Sequence, residues 1–156
     1  MTREIERIQN EIGINLINLV PVPWNKIGFR AICDDVFSTI LYCFVESETG
    51  VVSSGDNANV RFKKEWYQSD PSVIKSNLLR LSSELYKEYE KVNPKGKMWN
   101  AFTYIINDDG NFDITFEYQT EKKFLLNEKE WRLKYFGETS LYYYKGLYPD
   151  TTDVII

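Results

Sequence analysis

The sequence predicts an α+β domain, a mostly antiparallel β-sheet built from two main hairpins and packed with an N-terminal helix, a long central helix and a short C-terminal helix. Three observations carry this. Trp99 to Ile106 and Phe112 to Tyr118 are alternating runs joined by Asn107-Asp108-Asp109-Gly110-Asn111, a hairpin signal. Trp24 to Cys33 and Phe37 to Glu46 make a second β-favouring pair around Asp34-Asp35. The stretches beside them carry apolar residues at helical spacing, and the order helix, hairpin, long helix, hairpin, helix places helices on an antiparallel sheet. At 156 residues the chain is expected to be one domain, residues 1–156, with a single core and no internal repeat or linker.

In chain order, Ile5, Ile8, Ile12, Leu16 and Leu19 mark an amphipathic helix from about Thr2 to Leu19, ended by Pro21 and Pro23. In the first hairpin Ile27, Phe29, Ala31 and Cys33 share one side. Ser47 to Asn59 reads as a loop with room for one more strand around Val51-Val52. Asp70-Pro71 starts the long helix, since the carboxylate accepts from free N–H groups and proline suits the first helical position. Its buried stripe is Ile74, Leu78, Leu81, Leu85 and Tyr89, with Lys75, Arg80, Glu84, Lys87, Glu88 and Lys91 toward water, and Asn93-Pro94-Lys95-Gly96 stops it.

Taking Asp109-Gly110 as a two-residue turn places Ile105 opposite Ile114, Thr103 opposite Phe116 and Ala101 opposite Tyr118. Trp99, Ile105, Phe112, Ile114, Phe116 and Tyr118 then form the buried face. Phe102, Tyr104, Ile106, Asp113, Thr115 and Glu117 form a mixed second face. The last helix starts at Asn127, with Glu130 placed for a capping box and Leu126 for a staple on Trp131, and ends at Gly137. Leu141 to Pro149 has no readable pattern.

The chemistry is mostly excluded by composition. The chain has no histidine, which removes the commonest general base and transition-metal ligand, and with them Ser-His and Cys-His nucleophile pairs. Gly96-Lys97 lacks the rest of a phosphate loop, and a calcium loop at Asn107 to Asn111 would put Ile105 at its first ligand position. Asp34-Asp35, Glu46 with Glu48, and Asp108-Asp109 with Asp113 are the carboxylate sets open to magnesium or acid–base work. Aspartates in such turns ordinarily satisfy turn backbone and stay solvated. No cofactor or metal is expected.

Cys33 and Cys43 lie in apolar strand-like runs and are expected as buried reduced thiols. No signal peptide or membrane-length apolar run is seen, so a cytoplasmic protein is expected. A net charge of −4 points away from nucleic acid and toward a basic partner, and 11 Tyr, 9 Phe and 4 Trp exceed what a core of this size requires. Trp24, Trp99 and Trp131 read as core anchors, whereas Trp66-Tyr67 sits among polar residues.

Several stretches together resemble a known family: Leu19-Val-Pro-Val-Pro-Trp24-Asn-Lys-Ile27, the strand pair after it, the long helix ending before Trp99, Phe112-Asp-Ile-Thr-Phe-Glu-Tyr118, and Trp131 to Gly137. In this order they are similar to the YezG-like antitoxin family, the Pro-x-x-Trp lead into the first strand and the Trp-started hairpin ending Phe-x-Tyr being the most specific pieces. The resemblance implies an immunity protein that binds and neutralises a cognate bacterial toxin, commonly a nuclease, in the producer's cytoplasm, and no enzymatic activity. The matching residues, among them Trp24, Ile27, Trp99, Phe116, Tyr118, Trp131 and Tyr135, read as core, so they nominate no binding site.

The expected toxin-binding residues come instead from groups the core does not need. Glu46, Glu48 and Asp56 flank a loop and would steer a basic partner, while Trp66, Tyr67 or one of Tyr142, Tyr143 and Tyr144 would anchor it. The mixed face around Tyr104, Asp113 and Glu117 is the second choice. Competing classes are a small carboxylate-dependent enzyme and a scaffold that binds a peptide along a free strand edge. Direct nucleic-acid and membrane binding are not expected, and oligomeric state is not readable.

Overall fold

The first helix, α1 (Arg3–Leu19), begins where Thr2 lends its hydroxyl to the Ile5 N–H at 3.1 Å and ends before Pro21. The structure, a computed structural model, describes residues 2–33, 37–55, 62–118 and 126–137. After α1 come β1 (Trp24–Cys33), β2 (Phe37–Glu46) and β3 (Val52–Ser54), then a 3₁₀ turn (Lys64–Trp66) and the long helix α2 (Pro71–Val92). The chain continues through β4 (Ala101–Asn107), β5 (Phe112–Glu117) and α3 (Glu128–Phe136). Asp70 caps α2 by accepting from the Ser72 N–H, and Asn127 with Glu130 forms the expected capping box on α3.

The five strands form one antiparallel sheet in the order β3-β2-β1-β4-β5. The strand expected within 47–59 is β3, pairing Val52 with Val45 and Ser54 with Cys43. The architecture is therefore the expected α+β class. Helices α1 and α2 cover one sheet face, and their stripes Ile5, Ile8, Ile12, Leu16 and Ile74, Leu78, Leu81, Leu85 meet Ile27, Phe29, Phe44, Phe102 and Tyr104 in the main core. Helix α3 lies on the opposite face over a smaller cluster of Cys43, Val52 and Trp131, with Leu126 packed against it.

The register of the β4–β5 hairpin differs from the expectation by one residue. Ile105 faces Asp113, Thr103 faces Thr115 and Ala101 faces Glu117, while Phe102, Tyr104 and Ile106 pair with Phe116, Ile114 and Phe112. The cause is the turn. The Gly110 N–H donates to the Asn107 carbonyl and the Asn107 N–H to the Asn111 carbonyl, both at 2.9 Å, and Gly110 sits at φ +88°. This is the three-residue loop with glycine in the left-handed region, not the two-residue turn. The faces of β4 exchange accordingly: Phe102, Tyr104 and Ile106, not Ile105, go into the main core, where Phe112, Ile114 and Phe116 of β5 pack as expected. Trp99 stays buried because it precedes β4 and escapes the strand alternation, whereas Tyr118 is exposed.

Candidate functional site

None of the described carboxylates converges on a catalytic arrangement. Glu46 is buried and its Oε2 accepts from the Ser53 hydroxyl at 2.8 Å, so it is a structural group of the β2–β3 pair, whereas Glu48 is exposed. Asp109 accepts from the Asn111 N–H at 2.9 Å and side-chain amide at 3.0 Å, as turn aspartates do. Asp113 is exposed on the sheet face away from α1 and α2. Asp34 and Asp35 lie outside the described residues. Among the described residues no three His, Cys, Asp or Glu side chains are grouped to hold a metal ion.

Of the residues expected to bind a partner, Trp66 is about half exposed, at 48%, with its ring 6.1 Å from Phe62, which stands 5.9 Å from Phe44. Tyr67 is half-buried against the main core, and burial pushes its phenol pKa up. Together with Phe62, Lys64, Asp70 and Lys75 it borders an open cleft of about 400 Å³. The charges closest in sequence to Trp66 are Lys63, Lys64 and Glu65, so its surroundings are mixed and not acidic. Asp56, Tyr142, Tyr143 and Tyr144 lie outside the described residues. With Glu46 turned inward, Glu48 is the one expected steering carboxylate that the described residues place in water.

The second-choice surface is corrected. Tyr104 is fully buried on the helix-covered face, its hydroxyl donating to the Gln9 carbonyl at 2.9 Å, so it shares no surface with Asp113 and Glu117. Burial also drives its pKa far upward.

On the α3 side the structure shows what sequence reasoning did not find, the buried Arg30 and Arg132 and the half-buried Lys26 tying the helix to the sheet. Arg30 donates to the Leu126 carbonyl and to Glu117 Oε1, each at 2.7 Å, and Glu117 Oε2 accepts from the Leu126 N–H at 3.1 Å. Arg132 pairs with Glu128 at 2.9 Å and donates to Cys43 Sγ at 3.3 Å, while the Trp131 indole donates to Thr103 Oγ1 at 2.9 Å. Lys26 donates to the Tyr135 carbonyl and lies 4.8 Å from the Phe136 ring centroid, and burial lowers its pKa. Arg30 in the middle of an apolar strand was the signal available. Arg30 Nε alone of its nitrogens is buried without a hydrogen-bond partner among the described residues, and the other contacts anchor α3 to the sheet.

A second omission is on α1, where Ile14 and Ile17 fall off the buried stripe and are 58% and 42% exposed. No described helix is long and apolar enough to cross a membrane.

Comparison with curated proteins finds no match. Residues 5–145 match the family described as Immunity protein YezG-like, which spans nearly the whole chain from α1 past α3. The chain belongs to the YezG-like immunity protein family.

Proposed function

We propose that this protein neutralises a basic toxin domain of the nuclease class by binding it in the cytoplasm of the producing cell, and that it performs no chemistry of its own. The family match carries the reading, because immunity is exerted by binding. Charge supports the nuclease class: a nuclease presents basic residues to phosphate, and a partner of net charge −4 can occupy that surface and gain association rate from steering. Glu48 and Asp56 act as steering charges, and Trp66, Tyr67 or one of Tyr142, Tyr143 and Tyr144 acts as an anchor. Glu46 is left out of that set, since its carboxylate is engaged by Ser53.

The test is co-expression with a candidate toxin domain taken from the genes neighbouring this chain's own. The expected result is restored growth and a co-purifying complex. A toxin that stays lethal and elutes alone overturns the reading. Metal-dependent hydrolysis by the purified protein, lost in Asp108→Asn/Asp113→Asn, would instead establish the carboxylate enzyme.

A further inference from the structure

Between α1 and the turn end of the β4–β5 hairpin runs an open groove of about 280 Å³, lined by Gly13, Ile14, Ile17, Ile106, Gly110 and Phe112. Its floor is apolar. Single exposed isoleucines are unremarkable on a surface, but Ile14 and Ile17 stand one turn apart beside the half-buried Phe112, so they extend a continuous apolar strip out of the core into water. Isoleucine is also a poorer helix former than the polar residues usual at such positions, so helix propensity does not explain the pair.

The groove is too open for a small-molecule pocket, which encloses most of its ligand. It suits one or two side chains of another protein. Two independent features give its charge preference. Asp108 and Asp109, both exposed, sit in the turn whose Gly110 lines the groove. The last turn of α1 carries no basic residue, so the partial negative charge of the helix C-terminus is left uncompensated beside Ile17. Arg3 and Glu6 lie at the other end of the helix and offset one another.

We infer that this groove is a docking site for a toxin segment that presents an apolar side chain flanked by lysine or arginine. The inference rests on the immunity reading above and adds a second contact region, remote in sequence from the Glu48 and Trp66 region. The apolar side chain lies on Ile14, Ile17 and Phe112, and the flanking cations face Asp108, Asp109 and the helix end.

The test uses the same neighbouring toxin domain, catalytically inactivated, in binding kinetics against the full chain. Ile14→Asp/Ile17→Asp changes two exposed side chains and is expected to stay folded at the assay temperature with a modestly lowered melting temperature, since aspartate is unfavourable near a helix C-terminus. It is expected to weaken binding by at least about 30-fold, mainly through faster dissociation. Asp108→Asn/Asp109→Asn retains an oxygen at residue 109 to accept from the Asn111 N–H and is expected to slow association and flatten its salt dependence. If wild type binds and both variants bind as wild type does, the groove is overturned while the immunity reading stands. If wild type does not bind, both fall. A concentration-dependent dimer abolished by Ile14→Asp/Ile17→Asp would reassign the groove to a second copy of this chain and overturn the proposal.

Discussion

Trp99 joins the sheet to α2 through a set of aromatic contacts. Its ring centroid lies 5.8 Å from Phe37, 5.2 Å from Tyr86, 5.9 Å from Tyr89, 5.5 Å from Phe102 and 5.1 Å from Phe116, residues of four different elements. Trp99→Ala is therefore expected to cost about 3–5 kcal/mol, a large share of the roughly 5–15 kcal/mol of a typical domain. Chemical denaturation measures it, and a wild-type midpoint would refute the anchoring role. Gly13 and Tyr104 make a sharper pair, since a Cβ at residue 13 would approach the Tyr104 hydroxyl to 2.6 Å. Gly→Ala inside a helix ordinarily stabilises by about 1 kcal/mol. Here Gly13→Ala is expected to destabilise, and to lose most of that penalty in a Tyr104→Phe background. Strict additivity in the double-mutant cycle would show that the two do not meet. Tyr104 also sets an alkaline limit. Burial raises its pKa above the ordinary value of 10.0, and burial raises those of Tyr67, Tyr86 and Tyr89 as well. Above about pH 10 the unfolded chain ionises these phenols while the folded chain keeps them neutral, so the unfolded state binds fewer protons and stability falls. Lys26, with a lowered pKa, works in the opposite direction below the ordinary lysine value of 10.5, one group against four. Melting temperature is expected to drop through this range, less steeply in Tyr104→Phe.

At the scale of elements the β4–β5 hairpin depends on Gly110, whose φ of +88° an L side chain rarely adopts. Gly110→Ala is expected to cost about 1–2 kcal/mol, measured by urea unfolding. The same loop explains what could be read from the sequence and what could not. The stripes of α1 and α2 and the cap at Asp70 were legible because each follows from local spacing. The hairpin was legible as a hairpin, but an Asp-Gly pair serves both a two-residue turn and a three-residue loop ending in a left-handed glycine. Apolar residues occur on both faces of β4, so alternation could not decide between them. The position of α3 was hidden for a different reason. Its attachment uses Arg30, Arg132, Lys26 and Thr103, polar residues that periodicity assigns to solvent. For the binding residues, neighbouring positions proved a poor guide to a shared surface: Glu46 points inward while Glu48 points out, and Ile14 and Ile17 were passed over because they break the stripe that identified their helix.

The molecule as a whole has two unequal cores on the two sides of one sheet. The face under α1 and α2 holds the large aromatic and aliphatic core, whereas the α3 face holds a small cluster around Trp131 and the paired cations. Paired buried charges add little net stability, yet removing one partner leaves the other desolvated at a typical cost of about 3–5 kcal/mol. Such a layer should open as a unit before the rest, because elements with few buried apolar contacts exchange at lower free energy than core strands. Native-state hydrogen exchange is the measurement. The α3 amides and the Trp131 indole are expected to exchange through a sub-global opening, while the amides of Phe29 and Tyr104 exchange only on global unfolding. Glu117→Gln weakens the partner of Arg30 and is expected to speed exchange in α3 more than in β1. Because the Ile14 and Ile17 groove opens on the opposite side of the sheet, that variant should bind the toxin as wild type does. Equal protection of Trp131 and Phe29 would mean that both faces unfold together, and that the cations under α3 hold the whole domain and not one helix.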